Sequence, residues 1–89
     1  MEIWKAAAAG TMESSDVYVE IEPGNGEIEI AVESVVARQF GDAIRHSALE
    51  ILRQQGIDSA KVSIVDRGAL DCVIRARVET AVLRGKETC

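Results

Sequence analysis

Residues 34–57 read SVVARQFGDAIRHSALEILRQQGI and contain the longest regular pattern in the chain. Apolar and small residues recur there at spacings of three and four, which is typical of one face of an amphipathic helix. We interpret Ser34 as the N-cap, and Gly56 followed by Ile57 as a left-handed helix end. The pattern predicts a helix over residues 35–55 with one apolar stripe, formed by Val36, Phe40, Ala43, Ile44, Ser47, Ala48, Ile51 and Leu52.

Two alternating runs precede this helix. Residues 17–22 and 27–33 each alternate apolar and polar side chains, which indicates half-buried strands. Between them, PGNG at 23–26 is a turn signal, so we expect the two strands to pair as a β-hairpin. The alternation predicts these inward residues: Val17, Val19, Ile21, Ile28, Ile30 and Val32.

Two further segments follow the helix. Residues 60–66 are predicted as a third strand, Asp66-Arg67-Gly68 is a turn signal, and residues 69–78 (ALDCVIRARV) then alternate apolar and polar side chains. We interpret 69–78 as a fourth strand that pairs antiparallel with the third and points Cys72 inward. A helix from residue 69 is the competing interpretation, favoured by the alanine and arginine content. In the four-strand interpretation, a short helix over residues 78–84 is the last element of the folded body.

The order β-β-α-β-β predicts an α+β fold. One helix has one apolar stripe and an antiparallel sheet has one apolar face, so we expect a two-layer sandwich. In it, a four-stranded, mainly antiparallel sheet is covered by the one long helix. The chain of 89 residues is expected to form a single domain. We divide it into a flexible arm (1–16) tacked on by Trp4, a folded body (17–84) and a tail (85–89).

Charge and composition exclude several classes of function. Fifteen acidic and ten basic residues give a net charge of −5, which disfavours binding to nucleic acid or to an anionic membrane and suits docking on basic protein surfaces. The two cysteines, Cys72 and Cys89, form neither a disulfide framework nor a zinc site, so we expect a reducing, cytoplasmic setting. No targeting segment or membrane span is predicted.

Candidate catalytic residues are few. His46 is the only histidine and has no metal-ligand or triad pattern around it, so we expect no catalytic residue and no metal site. Arg75 and Arg77 share one face of the predicted fourth strand. They can pair with the nearby carboxylates Asp71 and Glu79, or they can bind a phosphate-bearing ligand, and the pattern leaves both interpretations open.

The segment AGTMESSD at residues 9–16 is the strongest candidate for function. It places Ser14 and Ser15 between the carboxylates of Glu13 and Asp16. A serine needs an adjacent base to act as a nucleophile, and the only histidine, His46, lies in a different predicted element. These serines therefore either cap a turn or are modified by another protein, and the residue types alone do not choose between the two.

Three blocks of sequence favour a modified serine over a turn cap, because together they resemble one family. AGTMESSD (9–16), QFGDAIR (39–45) and GALDCVIRAR (68–77) are similar, in this order, to the acyl carrier (gamma) subunit of citrate lyase. The likeness runs from the N-terminal arm to about residue 84. The family pattern would have glycine at position 15, where this chain has Ser15. This chain also differs from the phosphopantetheine carriers, which resemble a helical bundle with Asp-Ser-Leu at a helix start. Here the serine precedes predicted strands, and no leucine follows it.

The resemblance implies a covalent cofactor, 2'-(5''-phosphoribosyl)-3'-dephospho-CoA, joined to Ser14 through a phosphodiester by a dedicated holo-carrier synthase (transferase). The thiol of this arm would carry acetyl and citryl groups. An alpha subunit (the acyl transferase) is expected to exchange acetyl for citrate, and a beta subunit (the citryl lyase) to cleave the citryl thioester to oxaloacetate. The carrier itself would be a non-catalytic subunit of the complex.

Three alternatives stay open. The carrier subunits of malonate decarboxylase and of citramalate lyase use related chemistry, and a carrier does not contain the pocket that selects the substrate. An acidic interaction adaptor without a prosthetic group is an alternative of another class. A hypothesis about the loop also remains, namely that Glu13 and Asp16 help the transferase to recognise it.

Overall fold

The computed structural model describes residues 2–34 and 37–86, and at 37–40 it describes the backbone alone. Four strands and two helices follow one another along the chain. The strands are β1 (Ala7–Gly10), β2 (Val17–Glu22), β3 (Ile28–Ser34) and β4 (Ala60–Asp66), and the helices are α1 (Ala37–Gln54) and α2 (Asp71–Gly85). The fold is therefore α+β with a four-stranded sheet, as predicted. None of the described helices is long and apolar enough to cross a membrane.

The order of strands in the sheet is β1-β2-β4-β3. β2 pairs antiparallel with both β1 and β4, whereas β3 pairs parallel with β4. The predicted hairpin between residues 17–22 and 27–33 is therefore wrong, although both strands exist. β4 separates them because it can bury its inner side chains completely: Ala60 and Ile64 are fully buried, while Ile28, Ile30 and Val32 on β3 are only half-buried, as suits an edge strand.

The predicted fourth strand over residues 69–78 is also wrong, since this segment begins α2. The residues of α2 that are buried are Ile74, Val78, Ala81, Val82 and Gly85, at helical spacing. The apparent alternation arose because positions 74 and 78 fit a period of two as well as a period of four. Leu70 and Cys72, predicted to point inward, are exposed.

Both helices pack on one face of the sheet, so two helices rather than one cover it. The predicted helix over 35–55 is confirmed as α1 (Ala37–Gln54), and it ends as predicted. Most of its predicted apolar stripe is buried, namely Ile44, Ser47, Ala48, Ile51 and Leu52, but Ala43 is exposed, and Val36 and the Phe40 side chain lie outside the described part of the chain. Gly56 has a φ of 69°, its N–H donates to the Arg53 carbonyl, and the Ile57 N–H donates to the Leu52 carbonyl. These two bonds form a Schellman motif. Ser34, predicted as the N-cap, is the last residue of β3, and its hydroxyl donates to Asp66 at 2.8 Å. Residues 35 and 36, between Ser34 and α1, lie outside the described residues, so the N-cap stays a prediction.

The N-terminal segment contributes to the body. Ala7–Gly10, which lie inside the stretch 1–16 that we expected to be a flexible arm, form the edge strand β1. Ile3, only 4% exposed, packs into the core, whereas Trp4, predicted as the anchor, is 60% exposed. The Trp4 N–H donates to the Gly85 carbonyl at the end of α2. The division into arm, body and tail stays a prediction; Cys89 lies outside the described residues.

Candidate functional site

Ser14 occupies the corner of a tight turn between β1 and β2. The turn is closed by the Asp16 N–H, which donates to the Glu13 carbonyl at 3.2 Å. Ser14 is exposed, and among the described residues none hydrogen bonds with its hydroxyl. Ser15 follows with a φ of 66°, the left-handed conformation that the third position of a type II turn requires. Glycine adopts this conformation without strain, which is a physical reason for the glycine expected at position 15 from the resemblance.

The carboxylate of Asp16 holds this turn to the body. It accepts hydrogen bonds from the Thr11 hydroxyl and from the Val17 N–H, each at 2.7 Å. The Arg77 guanidinium on α2 donates two more, from Nε and Nη2, each at 3.3 Å. The hydrogen bonds from Thr11 and Val17, with the smaller contribution of Arg77, hold the pKa of Asp16 below its ordinary value. Asp16 is thus a structural anion that fixes the base of the loop.

A neighbouring loop supports the turn from the other side. The Ser15 N–H donates to the Arg67 carbonyl at 2.8 Å, and the Arg67 N–H donates to the Asp16 carbonyl at 2.9 Å. These bonds extend the β2–β4 ladder by one step beyond the strands. Buried Asp66 shapes the second loop, because its carboxylate accepts from the N–H groups of Gly68 and Ala69. The serine turn therefore lies where β4 ends and α2 begins.

Gly10 allows the chain to enter the turn. Its φ is 95°, and a Cβ at this position would lie 1.8 Å from the Val17 carbonyl oxygen and 3.3 Å from Cδ of Arg77. No side chain fits there without displacing the backbone of β2. Gly10, Val17 and Arg77 thus pack directly beneath the loop that carries Ser14.

The arrangement can present a serine but cannot activate it. Its nearest anchored carboxylate, that of Asp16, is already occupied by Thr11, Val17 and Arg77. His46, on α1, makes only a long contact of 3.7 Å with Glu50 and takes no part in the turn. Within the described residues, no group of three His, Cys, Asp or Glu side chains is placed to hold a metal ion.

The two arginines considered as phosphate ligands both have carboxylate partners. Arg75 donates to Asp71 at 3.1 Å and to Glu50 on α1, so it joins the two helices. The Ser47 hydroxyl donates to Asp71 at 2.6 Å and completes this cluster. Of the two interpretations, ion pairing therefore describes Arg75 and Arg77 in this structure, although through helical and long-range neighbours instead of cross-strand ones.

Sequence reasoning singled out Ser14 but missed the residues that support it. Thr11, Arg67 and Arg77 reach the loop only because β1, β2, β4 and α2 meet at one end of the molecule. Arg77 is 61 residues from Asp16 along the chain, so no local pattern could have paired them. The positive φ at Ser15 had one signal in the sequence, namely that the resemblance leads one to expect glycine at this position.

Comparisons with known proteins agree on one family. A family model described as "Malonate decarboxylase delta subunit (MdcD)" matches residues 4–85. The citrate lyase acyl carrier protein of Yersinia enterocolitica is 51% identical over 88 residues, covering 98% of this chain and 91% of that protein. The one from Lactiplantibacillus plantarum is 50% identical, covering 99% and 92%.

A solved structure has the same fold. The crystal structure of a Pseudomonas malonate decarboxylase hetero-tetramer in complex with malonate contains a chain that matches with a TM-score of 0.81 and 26% sequence identity. The match covers 94% of this chain and 87% of the other. The two-layer arrangement described above is therefore shared with a subunit of a multi-protein enzyme.

Proposed function

The chain belongs to the citrate lyase acyl carrier protein family, and from this premise we propose that it is the acyl carrier subunit of a citrate lyase, with its prosthetic group on Ser14. The observation that carries the proposal is the geometry of the serine turn. Ser14 lies exposed at the corner of a turn whose base is fixed by Asp16 and Arg77. An attachment enzyme can reach such a hydroxyl without unfolding the body.

The residues around Ser14 fit a covalent arm. The Ser14 oxygen would form the ester bond to a phosphorus of the activated phosphoribosyl-dephospho-CoA donor, while the bond from that phosphorus to the donor's leaving group breaks. Nothing in the described part of the chain covers this oxygen. The hydrogen bonds from Thr11 and Val17 lower the pKa of Asp16 and so make its carboxylate a weak base. We therefore assign the base that takes the serine proton to the transferase. The attached group supplies a thiol that carries acetyl and citryl thioesters.

The carrier role fits the lack of a catalytic constellation among the residues that the structure describes. We assign acyl exchange to an alpha subunit and cleavage of the citryl thioester to a beta subunit, with attachment by a holo-carrier synthase. Tethering raises the effective concentration of the acyl group at both active sites without any new contact. The arm's thiol does the work, so Cys72 need not react. A cytoplasmic location is part of this proposal.

Citrate is favoured over malonate as the substrate of the complex. The named citrate lyase carriers are about half identical to this chain over more than nine-tenths of both lengths, while identity to the malonate decarboxylase chain is 26%. Malonate decarboxylase remains the second candidate, since the matching family model carries that description. Because the carrier lacks the substrate pocket, the distinction has to be made on the assembled complex.

The experiment compares three proteins, each co-expressed with its lyase and attachment proteins: the wild type, Ser14→Ala and Ser15→Ala. We expect intact mass to show the arm on the wild type and on Ser15→Ala, and none on Ser14→Ala. An arm that survives in Ser14→Ala and is lost in Ser15→Ala would move the site. If no protein is modified while the attachment enzymes modify a known carrier, the carrier role is wrong and the adaptor is favoured. Assays of the co-purified complex with citrate, malonate and citramalate then identify the substrate.

A further inference from the structure

One face of the sheet has no cover within the described structure. Both helices pack on the face that contains Val17, Val19 and Ile21, so the alternate residues point the other way. We call this opposite side the outer sheet face. Its residues are exposed or half-buried and lie in three rows across the strands: Glu22, Lys61 and Glu29; Ala8, Glu20, Ser63 and Ala31; and Gly10, Tyr18, Val65 and Glu33.

The outer sheet face is acidic throughout. Each of its three rows has one more acidic than basic side chain, and Lys61 is its sole basic residue. The basic residues are distributed unevenly, because no other lysine or arginine lies in any described strand, and most of the arginines belong to α1 and α2. The negative charge is therefore a property of this face and not of the whole surface.

The shape of the face suits a protein partner. Small side chains at Ala8, Ser63 and Ala31 leave a shallow concavity between β1 and β3, with Glu20 in the same row and Glu22 and Glu29 in the next row. Tyr18 and Val65 add half-buried apolar surface in the neighbouring row on the other side. A surface that combines small and apolar side chains with charged ones has the general composition of a protein interface.

We propose that the outer sheet face docks this carrier on a basic, lysine- and arginine-bearing surface of one lyase subunit, an inference that rests on the proposed function. Charge selects the occupant. A second copy would bring two acidic faces together, which costs free energy, and nucleic acid or an anionic membrane would be repelled in the same way. A basic protein surface is attracted.

The position of Ser14 supports this choice. The serine turn follows Gly10 and precedes Val17, so it lies beyond the end of the sheet and not on its outer face. A carrier held by the outer sheet face therefore keeps the turn free. The arm on Ser14 can then reach two active sites in succession while the body stays bound to one subunit.

The test measures binding of the loaded carrier to each purified lyase subunit, at low and at high salt. Glu20→Lys changes the centre of the outer sheet face, and Glu79→Lys on exposed α2 is the matched control with the same change in net charge. We expect Glu20→Lys to weaken binding to one subunit about tenfold and Glu79→Lys to weaken it less than about twofold. High salt should narrow the difference.

Separate readouts distinguish this inference from the proposed function. Intact mass reports whether each variant carries the arm, and the urea midpoint reports whether it is folded. If the wild type is loaded and binds a subunit, but Glu20→Lys and Glu79→Lys bind equally, the docking face is wrong while the carrier role stands. If sedimentation shows a homodimer that Glu20→Lys dissociates, the occupant is a second copy and the proposal is overturned. A wild type without the arm contradicts the proposed function itself.

Discussion

Arg77 on α2 donates two hydrogen bonds, each 3.3 Å long, to the carboxylate of Asp16 at the base of the serine turn. This pair connects the last helix to the loop that presents Ser14. Together with the hydrogen bonds that Asp16 accepts from the Thr11 hydroxyl and the Val17 N–H, it ties the serine turn to the folded body.

Removing Arg77 should loosen the serine turn without unfolding the domain. In Arg77→Met, which keeps an aliphatic stem over Gly10, we expect faster amide hydrogen exchange at Ser15 and Val17. Exchange in the middle of β4 should not change. Hydrogen exchange read by NMR is the measurement, and Arg84→Met is the control because Arg84 binds the carbonyl of Ala8 on the edge of β1 instead. Unchanged exchange at Ser15 in Arg77→Met would show that the pair does not hold the turn.

Glycine at position 15 should stabilise the protein. Ser15 has a φ of 66°, and a side chain in the left-handed region costs about 1 kcal/mol relative to glycine. We expect Ser15→Gly to raise the free energy of unfolding by up to about 0.5 kcal/mol after the larger chain entropy of glycine is counted. Urea unfolding measures this, and Ser15→Ala should give no such gain. A loss of stability in Ser15→Gly would mean that the hydroxyl contributes more than the strain costs.

The N-terminal segment should depend on Ile3 and not on Trp4. Ile3 is 4% exposed and lies against the core near Ile21 and Gly85, so Ile3→Ala should cost about 2–4 kcal/mol. Trp4 is 60% exposed, and Trp4→Ala should change stability by less than about 0.5 kcal/mol. Chemical unfolding of the two variants under identical conditions is the measurement. A larger loss in Trp4→Ala than in Ile3→Ala would contradict the structure.

Stability should fall in acid through the cluster that joins the helices. Arg75 holds the pKa of Glu50 below its ordinary value of 4.5, and the Ser47 hydroxyl, with Arg75, holds the pKa of Asp71 below 3.8. The unfolded chain therefore takes up these protons at higher pH than the folded one. The stabilisation is present above the ordinary values and is lost as pH falls through and below them.

The matched measurement follows the urea midpoint from neutral pH down to about pH 3 in the wild type and in Arg75→Met. We expect the midpoint to drop less over this range in Arg75→Met, because Glu50 has lost its cation and Asp71 has lost part of its support. Equal drops in the two proteins would show that other carboxylates account for the acid sensitivity.

Local sequence patterns predicted the elements whose conformation does not depend on contacts with distant parts of the chain. The helix α1, the strands β2, β3 and β4, and the Gly56 helix end followed from periodicity and from one glycine. The pairing of the strands could not be predicted from local patterns, because the strand that buries the most apolar surface takes the central position, wherever it lies in the sequence. β4 lies in the sheet between β2 and β3, although it is distant from both in sequence.

The errors have particular physical causes. At Ile74 and Val78 a period of two coincides with a period of four, and the i,i+4 pair Asp71–Arg75 was the overlooked helical signal. Four small residues at β1 carry too little side-chain pattern to indicate a strand, and backbone pairing with β2 decides their structure. For the site, Ser14 was proposed from the resemblance, whereas the contact of Arg77 with Asp16 could be seen only in the fold.

The central claim is that Ser14 carries a covalent arm, and peptide mapping of the native chain tests it most directly. The chain is purified from cells that express its lyase and attachment proteins, digested, and the peptide that spans residues 9–16 is sequenced by tandem mass spectrometry. We predict the mass of the phosphoribosyl-dephospho-CoA arm on Ser14. An unmodified peptide, from cells whose attachment enzymes modify a known carrier, would contradict it.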